Sequence, residues 1–378
     1  MGLTFESLGK YVHLVDERNT DMVTESVLGI NIDKYFMPSV ANVIGTDLSN
    51  YKLLRKGRFA CNPMHVGRDG RLPVSRYTED VPAIVSPAYF MFEIIDENEI
   101  EPEYLMLCFR RSDFDRMCWF RTDASVRGGI TWEDVCALTI PVPSISEQRK
   151  IVHDYQVITD RIELLRKINE NLEEQAQTVF HSLFIDVEES NCTLADICNI
   201  NPSRSLKKDE LAMCFEMATL PTSGSMPVGG EVKPYNGGAR FQNGDTLLAR
   251  ITPCFENGKA AYINMLEDNE VAFGSTEYIV FAPKDNIPSS FYYFLVRNRK
   301  FKEFGMQFMN GSSGRQRISG EEFGTFAMKR PSPSDIEKFS AIGEKTLTAI
   351  KRYSQEISVL LRIQNNISTG IASISKGA

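Results

Sequence analysis

The feature that most constrains this chain is that it is written twice. A shift of 188 residues lays Ile130 on Ile318, Glu133 on Glu321, Pro143 on Pro331, Ser146 on Ser334 and Lys150 on Lys338. Small changes of shift carry the match upstream. Leu8-Gly9-Lys10-Tyr11-Val12 then falls on Leu194-Ala195-Asp196-Ile197-Cys198, and Ala83 to Phe92 on Ala272 to Phe281. Self-similarity at a fixed period means one structural unit built twice. The 378 residues leave each copy within the ordinary size of a domain.

Each copy is an irregular segment followed by a regular one. In the regular part of the first copy a proline break, Pro141-Val142-Pro143, is followed by Ser144 with Glu147 three residues on. That spacing is a capping box and predicts a helix start. In the second copy Ser334 and Glu337 follow Pro331 and Pro333, and the same start is expected there. Beyond these points apolar residues recur by threes and fours. The first copy has Ile151, Tyr155, Ile158, Ile162, Leu165, Leu172, Ala176, Val179 and Leu183, with the polar Asn169 in one seam slot. The second has Phe339, Ile350, Tyr353, Ile357, Leu360, Ile367, Ile371 and Ile374, with Gly343, Thr346 and Gln364 in the remaining slots. This is a heptad seam. A helix of about 40 residues would be ~60 Å long, too long to stand alone, so two such helices are expected to zip together. A pair of ordinary core helices is the alternative.

The irregular segments mix short apolar runs with Gly, Pro and Asn turns. The stretches 81–95 and 271–283 read as strands, and 100–121 and 288–304 as helices. The fold class is therefore α+β with an internal pseudo-twofold duplication: a globule over 1–142, a helix over 143–187, a globule over 188–330 and a helix over 331–378.

The formal net charge is −8, which by itself argues against a polyanionic partner. The distribution says more than the sum. Lys52, Arg55, Lys56, Arg58, Arg68, Arg71 and Arg76 are interrupted by one acid, Asp69. Arg297, Arg299, Lys300, Lys302, Arg315 and Arg317 are interrupted by Glu303 alone. Two basic islands at matching places in a repeat read as two footprints on nucleic acid. Eight cysteines form no Cys-x-x-Cys pair. Free, mostly buried thiols in a reducing compartment are expected, and no metal site. No apolar run reaches membrane-spanning length, and the start lacks a secretory pattern. A cytoplasmic location follows as an expectation.

No catalytic constellation emerges. Gly258-Lys259 lacks the upstream glycine of a phosphate-binding loop. Asn62-Pro63-Met64 and Asn201-Pro202-Ser203 lack the second proline and the aromatic residue that amino-methyltransferases carry. Glu101 and Glu103 sit where a helix should start, a position that favours acids. No catalytic residue and no cofactor is assigned.

The stretch Ile140-Pro-Val-Pro-Ser-Ile-Ser-Glu-Gln-Arg-Lys-Ile151, leading into a heptad helix, resembles the conserved region of the specificity subunits of type I restriction–modification systems. So do Arg250-Ile-Thr-Pro-Cys-Phe-Glu-Asn-Gly-Lys259, Gly274-Ser-Thr-Glu277, Gly311-Ser-Ser-Gly-Arg-Gln-Arg-Ile318 and Val85-Ser-Pro-Ala-Tyr89, which are similar to strings of that family's target-recognition domains. The resemblance spans essentially the whole chain. The second helix departs from it, opening with Pro-Ser-Asp-Ile-Glu-Lys where the family has a Glu-Gln pair.

The resemblance implies a chain without catalysis of its own. Each globule would be a target-recognition domain reading one half of a split, asymmetric site on double-stranded DNA. The two helices would pair antiparallel as a spacer. They would dock modification subunits, which use S-adenosylmethionine, and restriction subunits, which use ATP, would join the complex. Base edges and phosphates are read by Arg, Lys, Asn and Gln. The candidates are Arg58, Asn62, Arg68, Arg71, Arg76 and Arg127 in the first globule and Arg250, Asn257, Lys259, Arg315, Gln316 and Arg317 in the second. Lys300 and Lys302 are expected on phosphates, and Asn257-Gly258 reads equally well as a tight turn. The helix–helix interface would hold Ile151, Ile158, Ile162, Leu165, Asn169, Leu172, Val179 and Leu183 against Phe339, Ile350, Tyr353, Ile357, Leu360, Ile367 and Ile371. A free-standing DNA methyltransferase or nuclease with its own recognition domain is the competing class, and a scaffold without DNA contact a third.

Overall fold

The computed structural model describes residues 4–41, 44–64, 66–122, 128–186, 190–312 and 314–373. Arg127 and Ile374 lie outside the described residues. The chain divides into two compact units, one holding the residues up to Asp160 and those from Leu360 on, the other Arg161–Val359.

The duplication is physical. In the first unit Val12–Leu14, Phe90–Ile94, Phe59–Cys61 and Val74–Arg76 lie side by side in that order, all antiparallel. In the second unit Cys198–Ile200, Tyr278–Pro283, Thr246–Ala249 and Ala260–Tyr262 repeat the order and the directions. The other sheet also recurs. Phe36–Pro38, Val27–Ile30, Ala83–Val85 and Lys52–Leu54 form one copy, with a single parallel pair between Val27–Ile30 and Ala83–Val85. Glu231–Pro234, Leu211–Phe215, Val271–Gly274 and Ala239–Gln242 form the other, again with one parallel pair, between Leu211–Phe215 and Val271–Gly274. A two-stranded pairing closes each globule: Thr4–Ser7 with Thr139–Val142, and Cys192–Thr193 with Ala327–Met328.

Two expected helices are each broken in two. The stretch 100–121 is Pro102–Phe109 and Ser112–Phe120, and 288–304 is the start of Ser289–Arg297 and Arg299–Gln307. The second break has a clear cause. Asn298 turns to extended backbone and its side chain accepts from Lys300 N at 3.0 Å, which starts a new helix. Glu101 caps the first helix by accepting from Tyr104 N at 2.6 Å, and Glu103 lies in its first turn.

The long helices run Ile145–Phe180, ending in a wide turn at His181–Ile185, and Pro333–Ser373. Ser144 and Glu147 cap each other at the first start, the Ser144 hydroxyl donating to the Glu147 carboxylate at 2.8 Å. At the second start the pair is Ser332 and Asp335, not Ser334 and Glu337. Asp335 N donates to Ser332 Oγ at 3.1 Å, and Pro333 takes the first helical position, where its missing N–H costs nothing. Ser332 and Asp335 are the 188-residue equivalents of Ser144 and Glu147. Within the second unit Arg161 Nε meets Glu356 at 2.8 Å and Asn169 Nδ2 meets Ser354 Oγ at 3.5 Å. One number rises as the other falls, so the helices pair antiparallel. In the first unit Gln364 Nε2 donates to Thr159 Oγ1 at 2.8 Å.

The seam is packed along its length. Ile162, Leu165, Phe339, Ile350 and Ile371 are buried, and Leu165 is 0% exposed. Ile151, Ile158, Asn169, Leu172, Val179, Leu183, Tyr353, Ile357, Leu360 and Ile367 are half-buried. The helix ends do more than zip. Phe180, Phe184 and Phe339 belong to the core of the second globule with Phe291 and Phe294, rings 5.0–5.6 Å apart for six of the pairs. Ile151, Val152, Tyr155 and Ile371 pack on the core of the first. All eight cysteines are free, six of them buried. Among the described residues no helix is long and apolar enough to cross a membrane, and no group of His, Cys, Asp or Glu could hold a metal ion.

Candidate nucleic-acid interface

The basic island of the first globule is not a field of free charge. Arg58 is only 12% exposed and lies between Glu17 at 2.6 Å and Glu93 at 2.7 Å, with Leu53 O at 2.7 Å. Arg68 pairs with its neighbour Asp69, Arg71 with Asp33 at 2.9 Å, and Arg76 with Glu103 at 2.9 Å. Arg55 and Lys56 meet Glu17 and Asp80. Lys52 is buried, donates to Tyr89 O at 2.7 Å, and has its pKa lowered by that burial. The Asn62 side chain accepts from Met64 N at 3.1 Å, which fixes a turn. Most of the neutralising carboxylates come from distant positions, so proximity along the chain could not reveal them. Arg68 and Arg71 stay more than half exposed and keep their forks near solvent.

The second globule gathers several of its candidates. Arg250 stands at the end of the strand Thr246–Ala249, and Arg317 bridges to Ile251 and Asn310. Both reach one carboxylate: Arg250 Nε lies 3.2 Å and Arg317 Nη2 2.8 Å from Glu277. The hydrogen bond from Arg317 is the main reason why the Glu277 carboxyl sits below its ordinary pKa, with Arg250 adding to it. Gln316 is held by its backbone, its N–H donating to Thr252 Oγ1 at 2.9 Å and its carbonyl accepting from Thr252 N at 3.0 Å. Gln316 is half-buried. Arg315 is exposed. Arg250, Arg315, Gln316 and Arg317 are thus one cluster.

The remaining candidates lie elsewhere. Asn257 and Lys302 line a cleft of about 630 Å³ that also holds Glu170, Glu173 and Glu174. Lys302 donates to Glu256 O at 2.6 Å, Lys259 to Met217 O at 2.8 Å, and Lys300 is 3.9 Å from Asp186. Asn257-Gly258 is a turn: their N–H groups donate to Pro253 O and Phe255 O, and Gly258 has φ +72°. Arg297, counted in the second basic island, is a structural residue. It is 11% exposed, and its guanidinium donates to Thr222 O, Gly258 O, Gly224 O and Ala260 O. It also meets Glu173 of the first long helix at 3.6 Å, and Tyr293 donates to the same carboxylate. An arginine with its N–H groups already taken up in this way cannot also read DNA.

A second cleft of the second globule, about 320 Å³, is lined by Arg240, Arg250, Asn201, Thr276 and Tyr278 among others. Arg240 belongs to neither basic island, and its sequence surroundings carry no charge signal. Glu277 lies in the Gly274-Ser-Thr-Glu277 string, and nothing in the sequence pairs it with Arg250, 27 residues away, or Arg317, 40 residues away.

The comparisons with known proteins follow this geometry. No family model matches. The chain is 28% identical over 188 residues to the type I restriction enzyme EcoEI specificity subunit of Escherichia coli, and 29% identical over 186 residues to the EcoAI specificity subunit of the same organism. Each alignment covers 45% of this chain. This chain is similar in sequence to type I specificity subunits. The match spans 31% of the length of each of these specificity subunits, about a third of the curated relatives. The crystal structure of the type I restriction–modification S subunit from M. genitalium has the same fold, with a TM-score of 0.59 over 98% of this chain and 96% of that one at 14% identity.

Proposed function

We propose that this chain is the sequence-recognition subunit of a type I restriction–modification complex, with each globule reading one half of a two-part, asymmetric target on double-stranded DNA. What carries the reading is the pairing of two observations. The same α+β globule occurs twice with the same strand order, and the chain is similar in sequence to specificity subunits. A duplicated reader with different surface residues in each copy is suited to a target whose halves differ. Under the match of Ala83–Phe92 with Ala272–Phe281, Ala88 stands where the second globule has Glu277.

In this reading the globules are 1–142 and 188–330 and the spacers 143–187 and 331–378. The helices dock the modification subunits, which supply S-adenosylmethionine chemistry, and restriction subunits complete the complex. The chain itself makes no bond. DNA is held by the Arg250–Arg315–Gln316–Arg317 cluster and by Arg68 and Arg71. With the first island largely paired to carboxylates, phosphate attraction by this chain alone is modest. The purified chain is therefore expected to transfer no methyl group to DNA with S-adenosylmethionine, and to cut none with ATP and magnesium. Addition of modification subunits should produce adenine methylation at a recurring two-part motif. Methyl transfer by the chain alone, or complex-dependent methylation without any recurring motif, would overturn the proposal.

A further inference from the structure

The 320 Å³ cleft of the second globule holds an arginine in an unusual state. Arg240 lies on the strand Ala239–Gln242, opposite Phe273. Its guanidinium carbon is 5.9 Å from the centroid of the Tyr235 ring. Among the described residues it meets no carboxylate and no hydrogen-bond acceptor. Three arginines in its neighbourhood meet carboxylates: Arg250 and Arg317 meet Glu277, and Arg204 meets Asp245. The equivalent of Arg240 in the first globule is Leu53, since Leu53 pairs with Ile84 as Arg240 pairs with Phe273. Leu53 is buried and apolar. Only the second copy keeps a free fork at this place.

The backbone around it is shaped for close approach. Gly238, at the rim of the cleft, has φ +107°, and a Cβ there would lie 1.9 Å from Gly274 O. No side chain can grow from that rim over Arg240. The aromatic face holds the guanidinium plane without using its N–H groups. A planar fork that is braced and unspent loses little freedom on binding. It matches the O6 and N7 acceptors of guanine, the commonest specific contact in the major groove.

We propose that Arg240 is the base-reading residue of the second globule, presenting its fork to the major-groove edge of a guanine at the mouth of this cleft. The proposal rests on the reading of this globule as a target-recognition domain. The Glu277 carboxylate on the neighbouring Arg250 makes the site less suited to a phosphate, whose charge it repels, than to a neutral base edge.

The test uses the full chain in cells with its modification subunits, with adenine methylation mapped across the genome. Arg240→Ala and Arg240→Lys are compared with the unaltered chain, and thermal unfolding of each is recorded. The expected result is that one guanine position in one half-site relaxes by roughly 5- to 150-fold in discrimination, with the other half-site unchanged. Arg240→Lys should relax the same position while keeping overall methylation, because it retains the charge and loses the fork. If Arg240→Ala fails to fold, Arg240→Lys decides. An unchanged motif, or an even loss across all sequences restored by Arg240→Lys, would make Arg240 a bystander or a phosphate contact and sink the proposal. An unaltered chain that yields no recurring motif would instead sink the parent reading.

Discussion

Single residues decide how charge is used in this protein. The clearest case is Glu277, which gathers Arg250 and Arg317 and whose carboxyl is held below its usual pKa by them. A carboxylate with a lowered folded pKa contributes stability that is present above its unfolded pKa and lost as pH falls through the folded value. Glu277→Gln should therefore lower the melting temperature at neutral pH by a small margin, and the gap to the unaltered protein should close as the pH falls below the ordinary carboxylate range. A gap that persists unchanged in acid would mean that the loss comes from packing and not from the ion pairs. The same substitution frees two guanidinium groups, so binding to DNA should tighten while its salt dependence steepens.

At the scale of elements, the long helices are held by different devices at matching places. Gln148 is 0% exposed; it accepts from Glu101 N at 2.9 Å and donates to Glu99 O and Pro143 O at 3.0 and 2.9 Å. It thereby ties the first long helix to the start of the helix Pro102–Phe109. The equivalent residue in the second copy is Ile336, which packs on the core of its globule. This explains why the Glu-Gln pair is missing there: an apolar contact replaces a hydrogen-bonded one. Gln148→Ala would leave one N–H and two carbonyls without these partners, at about 1–3 kcal/mol for each group that water cannot reach. Denaturant unfolding of the full chain should show an earlier transition, and an unshifted midpoint would mean that the tie is replaced by water. The heptad period announced both helices, because a side-chain seam repeats in sequence as it does in space. It could not announce that Phe180, Phe184 and Phe339 would join a globule's core, since an apolar residue carries no sign of which neighbour covers it.

At the scale of the whole molecule, the proposed role of the helices as a ruler makes a quantitative demand. Four residues inserted near Asn171 would advance the far end of the first helix by ~6 Å and turn it by ~40°. One base pair advances DNA by ~3.4 Å and turns it by ~35°. Methylation maps should then show both half-sites unchanged and a spacer longer by one or two base pairs. An assembled variant that methylates only the original spacing would show that the helices do not measure the target.

The sequence by itself determined the duplication, the α+β class, both long helices and the absence of a disulfide framework. These are properties of pattern: repeats, periods and caps are local, and the chain displays them before it folds. Tertiary structure decided which charges are spent. Arg58 and Arg297 read as surface cations in their islands, yet one lies between Glu17 and Glu93 and the other among four backbone carbonyls. Arg240 stands outside both islands, yet among the described residues it meets no carboxylate and lies against the Tyr235 ring. A charge is available for binding only if folding brings no opposite charge to it, and that depends on residues tens of positions away.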